Sequence, residues 1–168
     1  MTELDSLWSK MLDEAAAKSL HLGQSDIAEY LRLKAANDTI RSIGVGWLMD
    51  TVIEIAGQLS RDHAVLVIER EEPHSFAHGN SNMAGSLLRV SYGVRCLTLE
   101  AGWTRTPRDG IMHGHTLAFA RISHFGLLKK GAEFRLVHSE TLPQWLDKTG
   151  NTVDSSELRR HLDMLLDK

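Results

Sequence analysis

Leu87-Leu88-Arg89-Val90-Ser91-Tyr92-Gly93-Val94-Arg95-Cys96-Leu97-Thr98-Leu99 is the stretch that decides the fold. Two β-rich runs flank a turn signal, and that pattern predicts an antiparallel hairpin. A two-residue turn at Tyr92-Gly93 sets Leu88 opposite Leu97 and Val90 opposite Arg95. Leu88, Val90, Leu97 and Leu99 then share one face. Arg89, Cys96, Thr98 and Glu100 share the other, because side chains alternate along a strand. One side of this ribbon is oily and needs a cover; the other is polar.

Reading toward the C-terminus, Gly102 to Gly110 is a turn-rich connection. Leu117, Phe119 and Arg121 alternate in the way of a strand, although the alanines between them favour a helix. Glu133 to His138 is a further strand. Asp154 with Glu157 three residues on, followed by Leu158, Leu162 and Leu165, is a capped amphipathic helix. Reading toward the N-terminus, Ala64 to Ile68 is a short apolar run that predicts a strand covered on both faces. Residues 71–82 read as a polar loop.

Before His63 the period is helical. Leu4, Leu7, Trp8, Met11, Leu12 and Ala15 form one stripe, with Thr2 and Asp5 at its start and Gly23 at its stop. A second start lies at Asp26 and turns Ile27, Tyr30 and Leu31 inward, with a break expected at Asn37-Asp38. Val45, Leu48, Met49, Val52, Ile55, Ala56 and Leu59 make a third helical stripe. Gly44 and Gly46 stand at its start, where they allow close approach of another part of the chain.

The expected class is therefore α+β: N-terminal helices packed on a mainly antiparallel meander of four to five strands, with a closing C-terminal helix. The chain has 168 residues, the length of a single domain. Its parts would be a helical portion (1–62), a sheet (63–140) and the last helix (154–168). Hydrophobic residues at 42% and charged residues at 24% exclude a disordered chain. Lys plus Arg number 19 against 22 Asp plus Glu, and this balance argues against a strongly basic nucleic-acid protein. One cysteine, Cys96, leaves no internal disulfide and no Cys-rich zinc module. The opening Met1 to Asp5 has neither a basic nor an apolar leader, and no run approaches a membrane span. A cytoplasmic protein without a membrane partner is expected.

Three groups of residues carry candidate chemistry. Trp103, Arg105, Thr106 and Arg108 lie within six residues. Guanidinium forks, hydroxyls and an indole suit an anionic small molecule or partner. His113-Gly114-His115 would point two imidazoles to one side if extended. His74 or His78 and a carboxylate could complete a metal site of the kind that activates water for hydrolysis. Glu69 and Glu100, each near a strand end, are candidate catalytic carboxylates. The plainer expectation for Glu100 is an ion pair with Arg89 or Arg95 across the hairpin. The readings these support are a binding module for an anion, a metal-dependent hydrolase, and a structural or regulatory subunit. The last would use apolar surface left on the first helices to make a homodimer. No cofactor is indicated.

The run Val94 to Pro107 and the opening Leu7 to Ala15 resemble stretches of small bacterial proteins whose function is uncharacterised. The resemblance spans most of the chain. It implies a bacterial, single-domain, non-secreted protein and adds no catalytic residue.

Overall fold

A computed structural model describes residues 3–62 and 65–167, the Leu4 side chain aside. Two helices come first, α1 (Glu3–His21) and α2 (Ser25–Asp62). Six strands follow: β1 (Val67–His78), β2 (Ser81–Tyr92), β3 (Arg95–Trp103), β4 (Thr116–His124), β5 (Ala132–Val137) and β6 (Gln144–Leu146). Helix α3 (Ser155–Leu166) closes the chain. The strands form one antiparallel meander in the order β1-β2-β3-β4-β5-β6. The α+β class with an antiparallel sheet holds, with six strands in place of four or five. No helix among the described residues is long and apolar enough to cross a membrane.

The β2–β3 hairpin keeps the expected faces but slips by two residues. Its turn is Gly93-Val94, so Leu88 pairs with Leu99, Val90 with Leu97 and Tyr92 with Arg95. A slip of two preserves which face each side chain takes, whereas a slip of one would have reversed them all. Leu88, Val90, Leu97, Leu99, Ala120, Ile122, Phe134 and Leu136 line the covered face. Onto them pack Leu48, Met49, Val52, Ile55, Ala56 and Leu59 of α2 and Leu158, Leu162 and Leu165 of α3. These side chains are the main core. Asp154 caps α3 by accepting from the Ser156 and Glu157 amides at 2.9 and 3.0 Å, which satisfies two of the helix's free N-terminal donors.

Four expectations are corrected. Helix α2 runs through Asn37-Asp38 without a break, for 38 residues. Asp38 is a weak helix residue on its own. Here its carboxylate accepts from Arg41 at 2.7 Å, from Lys34 at 3.3 Å and from the Trp8 indole at 3.3 Å. Those bonds hold the residue helical. The first strand begins at Val67, and Ala64 of the expected run lies outside the described residues. That strand is at the sheet edge, with Val65 and Val67 exposed, and so is not covered on both faces. The supposed loop 71–82 is mostly strand: β1 continues to His78, turns at Gly79-Asn80 and returns as β2. The alternation of His74, Phe76 and His78 and the Gly-Asn turn pair are its local signals. Finally, the first helices bury less than expected. Leu12 and Ala16 are buried, whereas Leu7, Trp8, Met11, Ile27 and Tyr30 are exposed. The cap expected from Thr2 lies outside the described residues.

Gly44 does permit close approach. A Cβ there would stand 2.6 Å from Leu136 Cδ2, and the Trp145 indole donates to the Gly44 carbonyl at 3.0 Å. Helix α2 is thereby locked onto β5 and β6.

Candidate functional site

Among the described residues no helix lies over the second face of the sheet. Residues directly opposite one another in a ladder share a face, so the register places two rows here. One row is Glu71, Leu87, Glu100, Arg121 and Glu133, from β1 to β5. The next is His74, Gly85, Gly102, Phe119, Arg135 and Leu146, across all six strands. Gly85 and Gly102 face each other with their backbones pressed together. A Cβ on Gly102 would stand 2.6 Å from the Ala84 carbonyl oxygen, and one on Gly85 would strike the Ala101 carbonyl. Only glycine leaves this centre bare.

The missing side chains let the far half of β1 lean over the sheet. Phe76 and Met83 come together with Phe119 of β4 in a second, smaller apolar cluster, and Met112 packs against it. The His78 ring stacks on Phe119 with centroids 3.5 Å apart. Beside this cluster a cavity of about 480 Å³ opens toward β5 and β6. Phe119, Met83, Met112 and Leu146 supply apolar wall, and Arg135, His78 and Lys148 stand at its polar side together with the carboxylates of Glu133 and Asp147. Lys148 is ion-paired to Glu133 at 2.9 Å. Arg135 has no hydrogen-bond or ion-pair partner among the described residues, and its side chain belongs to an exposed residue.

Glu100 lies on the polar face, as its place in the hairpin predicts, but its partners differ from those expected. Neither Arg89 nor Arg95 pairs with it. Arg121 holds one carboxylate oxygen at 2.5 Å and His74 Nε2 lies 2.9 Å from the other. Burial works to raise the Glu100 carboxyl. The His74 and Arg121 hydrogen bonds and the Arg121 charge outweigh it and hold the group below the usual carboxylate range. The other His74 nitrogen faces Glu71 at 3.4 Å. Carboxylates thus flank both ring nitrogens of His74. Glu69 sits opposite Arg89, one row away from Glu100, and is exposed. The two candidate carboxylates do not form a pair.

The histidine pair is also dispersed. His113-Gly114-His115 is a turn, with Gly114 at φ 63° and His115 at φ 57°, so the alternation of an extended segment is absent. His113 and His115 are exposed. No group of three or more His, Cys, Asp or Glu able to hold a metal occurs among the described residues.

The Trp103–Arg108 loop does bring two of its members together. The Arg105 guanidinium lies 3.8 Å from the Trp103 ring centroid, a cation–π stack. The same guanidinium donates to Asp5 of α1 at 3.1 Å. Trp103 is buried at the end of β3, so the stack pins α1 to the sheet. Thr106 is engaged by Asp109, whose carboxylate accepts from the Thr106 amide and hydroxyl, both at 2.8 Å. The hydroxyl and amide bonds keep the Asp109 carboxyl below its usual range. Arg108 is exposed and without a partner among the described residues.

No family model, no curated protein and no solved structure matches this chain. Its chemistry has to be read from its own residues. The cavity residues Met83, Met112, Phe119, Arg135 and Leu146 were not reached from sequence. Their shared location depends on the order of six strands. The local trace was the parity of Phe119 and Arg121 with one another, and of Glu133 with Arg135.

One more ionisable pair lies on the covered side. His124 of β4 and His161 of α3 are both buried, with His124 Nε2 at 3.1 Å from His161 Nδ1. Burial lowers the His124 imidazole below its usual range. Burial first, then the charges of His124 and Arg160, push His161 down to about 4. Two neutral rings sharing one proton between facing nitrogens suit that site.

Proposed function

We propose that this chain is a binding module for a small anion with an apolar or aromatic body, held on the uncovered face of the sheet. The observation that carries the reading is the cavity of about 480 Å³ with apolar walls and, at its side, Arg135, which has no partner among the described residues. Its volume falls in the range of small-molecule sites, roughly 300–1,000 Å³, which are also mostly apolar with a few placed polar groups. Phe119 and the stacked His78 would cover a flat or aliphatic body. Arg135 would take a carboxylate, sulfonate or phosphate through its fork, which fits such groups in a bidentate way. The Trp103–Arg108 loop is less suited, because Arg105 already has Asp5 and the Trp103 ring as partners.

Thermal unfolding in the presence of medium-chain and aryl carboxylates tests this. A ligand at one hundred times its Kd stabilises by about 2.7 kcal/mol, which for a domain of this size raises Tm by roughly 5–10 °C. The gain should disappear in Arg135→Gln and persist in Arg108→Gln. Inorganic phosphate, which lacks an apolar body, should give little. The reverse pattern, with Arg108→Gln abolishing the gain and Arg135→Gln preserving it, would move the site to the loop and overturn the reading.

A further inference from the structure

The helical hairpin carries an apolar face that the sheet does not reach. Helix α1 lies antiparallel to the first half of α2: Trp8 donates to Asp38 and Ser42 donates to Asp5. Arg41 and Asn37 are the last residues of α2 tied to the sheet side, through the Leu117 carbonyl and His138. From there to Ser25 the helix runs on for about 18 Å at 1.5 Å per residue. Leu12 and Ala16 of α1 and Ala28 and Ala35 of α2 are buried along the seam between the helices, and none belongs to the main core. At about 100° per residue from that seam, Trp8 and Met11 of α1 fall on the same side as Ile27 and Tyr30 of α2, with Leu7 and Leu33 at the outer edges of that face. All six are exposed, Tyr30 at 61% and Leu33 at 60%.

We infer that this face seats a second copy of the same chain, so that two α1–α2 hairpins close into a four-helix bundle. Three observations point to a copy as the occupant. The face is large enough: six such side chains, each roughly half exposed out of about 200 Å², offer some 600 Å² before the residues between them are counted, against about 800 Å² per partner in a stable interface. It is compatible with itself. A two-fold axis sets matching patches against each other, and these six residues carry no charge. The basic groups beside them on α2, Lys34 and Arg41, are both ion-paired to Asp38. The hairpin is also half of a bundle, two amphipathic helices with a seam of small residues and an apolar side left over. The face runs on into a cleft of about 320 Å³ between Tyr30 and Leu33 on α2 and Pro107 and Ile111 on the connection. That cleft gives the partner's helices a place to rest against the body.

Sedimentation velocity on the full chain across the micromolar range tests the inference. The expected result is a species of twice the chain mass that dissociates on dilution. The double variant Met11→Asp plus Leu33→Asp should sediment as the monomer with unchanged helical circular dichroism. Ile43→Asp, which alters an exposed apolar residue about 140° round α2 from Tyr30, should remain dimeric. A wild-type chain that is monomeric throughout would overturn the proposal and leave the face to a different protein. A folded double variant that stays dimeric would also overturn it. If the double variant loses its circular dichroism, the single variant Leu33→Ser, a milder change at an exposed site, decides by the same criterion: weaker association supports the face, unchanged association removes it.

Discussion

The two faces of the sheet are built from the same strands and behave as different materials. On the covered face, Leu88, Leu99, Ile122 and Phe134 are almost fully buried beneath α2 and α3. On the uncovered face, the same strands present Glu100, Arg121 and Arg135, a pair of glycines with no side chain, and one small apolar cluster around Phe119. Alternation along each strand separates the two tasks. Stability is concentrated where helices exclude water, and charge is kept to the side where it can be exposed without being stranded.

The largest expected effect is on the covered side. Leu99→Ala should destabilise by about 2–5 kcal/mol, as buried leucine truncations do, in chemical denaturation followed by circular dichroism. Leu146→Ala, partly exposed on the other face, should cost no more than about 1 kcal/mol. Equal losses at the two positions would break the contrast.

Acid separates the faces next. The unfolded chain protonates His161 near pH 6.5, whereas the folded chain does so only near 4. Between those values the unfolded state binds more protons, so stability is complete above about pH 6.5 and falls as pH drops toward 4. A shift of this size corresponds to roughly 3 kcal/mol at most. The groups facing the ring are His124, Glu157 at 3.7 Å and Arg160. His161→Leu should flatten the pH dependence in that window, and an unchanged slope would assign it elsewhere.

A smaller effect belongs to Glu100 on the uncovered face. Its lowered carboxyl contributes stability that is present above the ordinary value and lost as pH falls below it. Glu100→Gln should cost about 1–2 kcal/mol at neutral pH, since the amide gives up the charge and one of the two acceptor oxygens that Arg121 and His74 use. The loss should vanish at low pH, where the wild-type carboxyl is itself neutral. Smallest of all is Arg135→Gln, expected within about 0.5 kcal/mol of wild type because the exposed side chain has no partner among the described residues to lose. That variant separates binding from folding.

These contrasts also mark what could be read from sequence. The covered face was legible because Leu88, Val90, Leu97 and Leu99 alternate locally and a two-residue slip leaves their facing intact. The uncovered face was not, because its members meet across strands. His74 and Ser75 looked like loop until β2 supplied their ladder, and Glu100 found Arg121 rather than Arg89 only once β4 lay beside β3. Asn37-Asp38 suggested a helix break because local propensity omits Trp8, Lys34 and Arg41. Trp103 and Arg105 were adjacent enough to be grouped. Asp5, which redirects Arg105 from a ligand to α1, is 100 residues away. The three-residue β6 is shorter than any pattern that periodicity resolves, and Trp145 holds it by reaching Gly44.

The claim that the uncovered face is the binding side is tested most directly by amide chemical-shift mapping on isotope-labelled protein titrated with decanoate, an apolar chain ending in a carboxylate. The account predicts saturable shifts centred on Met83, Met112, Phe119, Arg135 and Leu146, with residues 104–109 unmoved. Shifts confined to the 104–109 loop or to α1 and α2, or no saturable shifts at all, would contradict it.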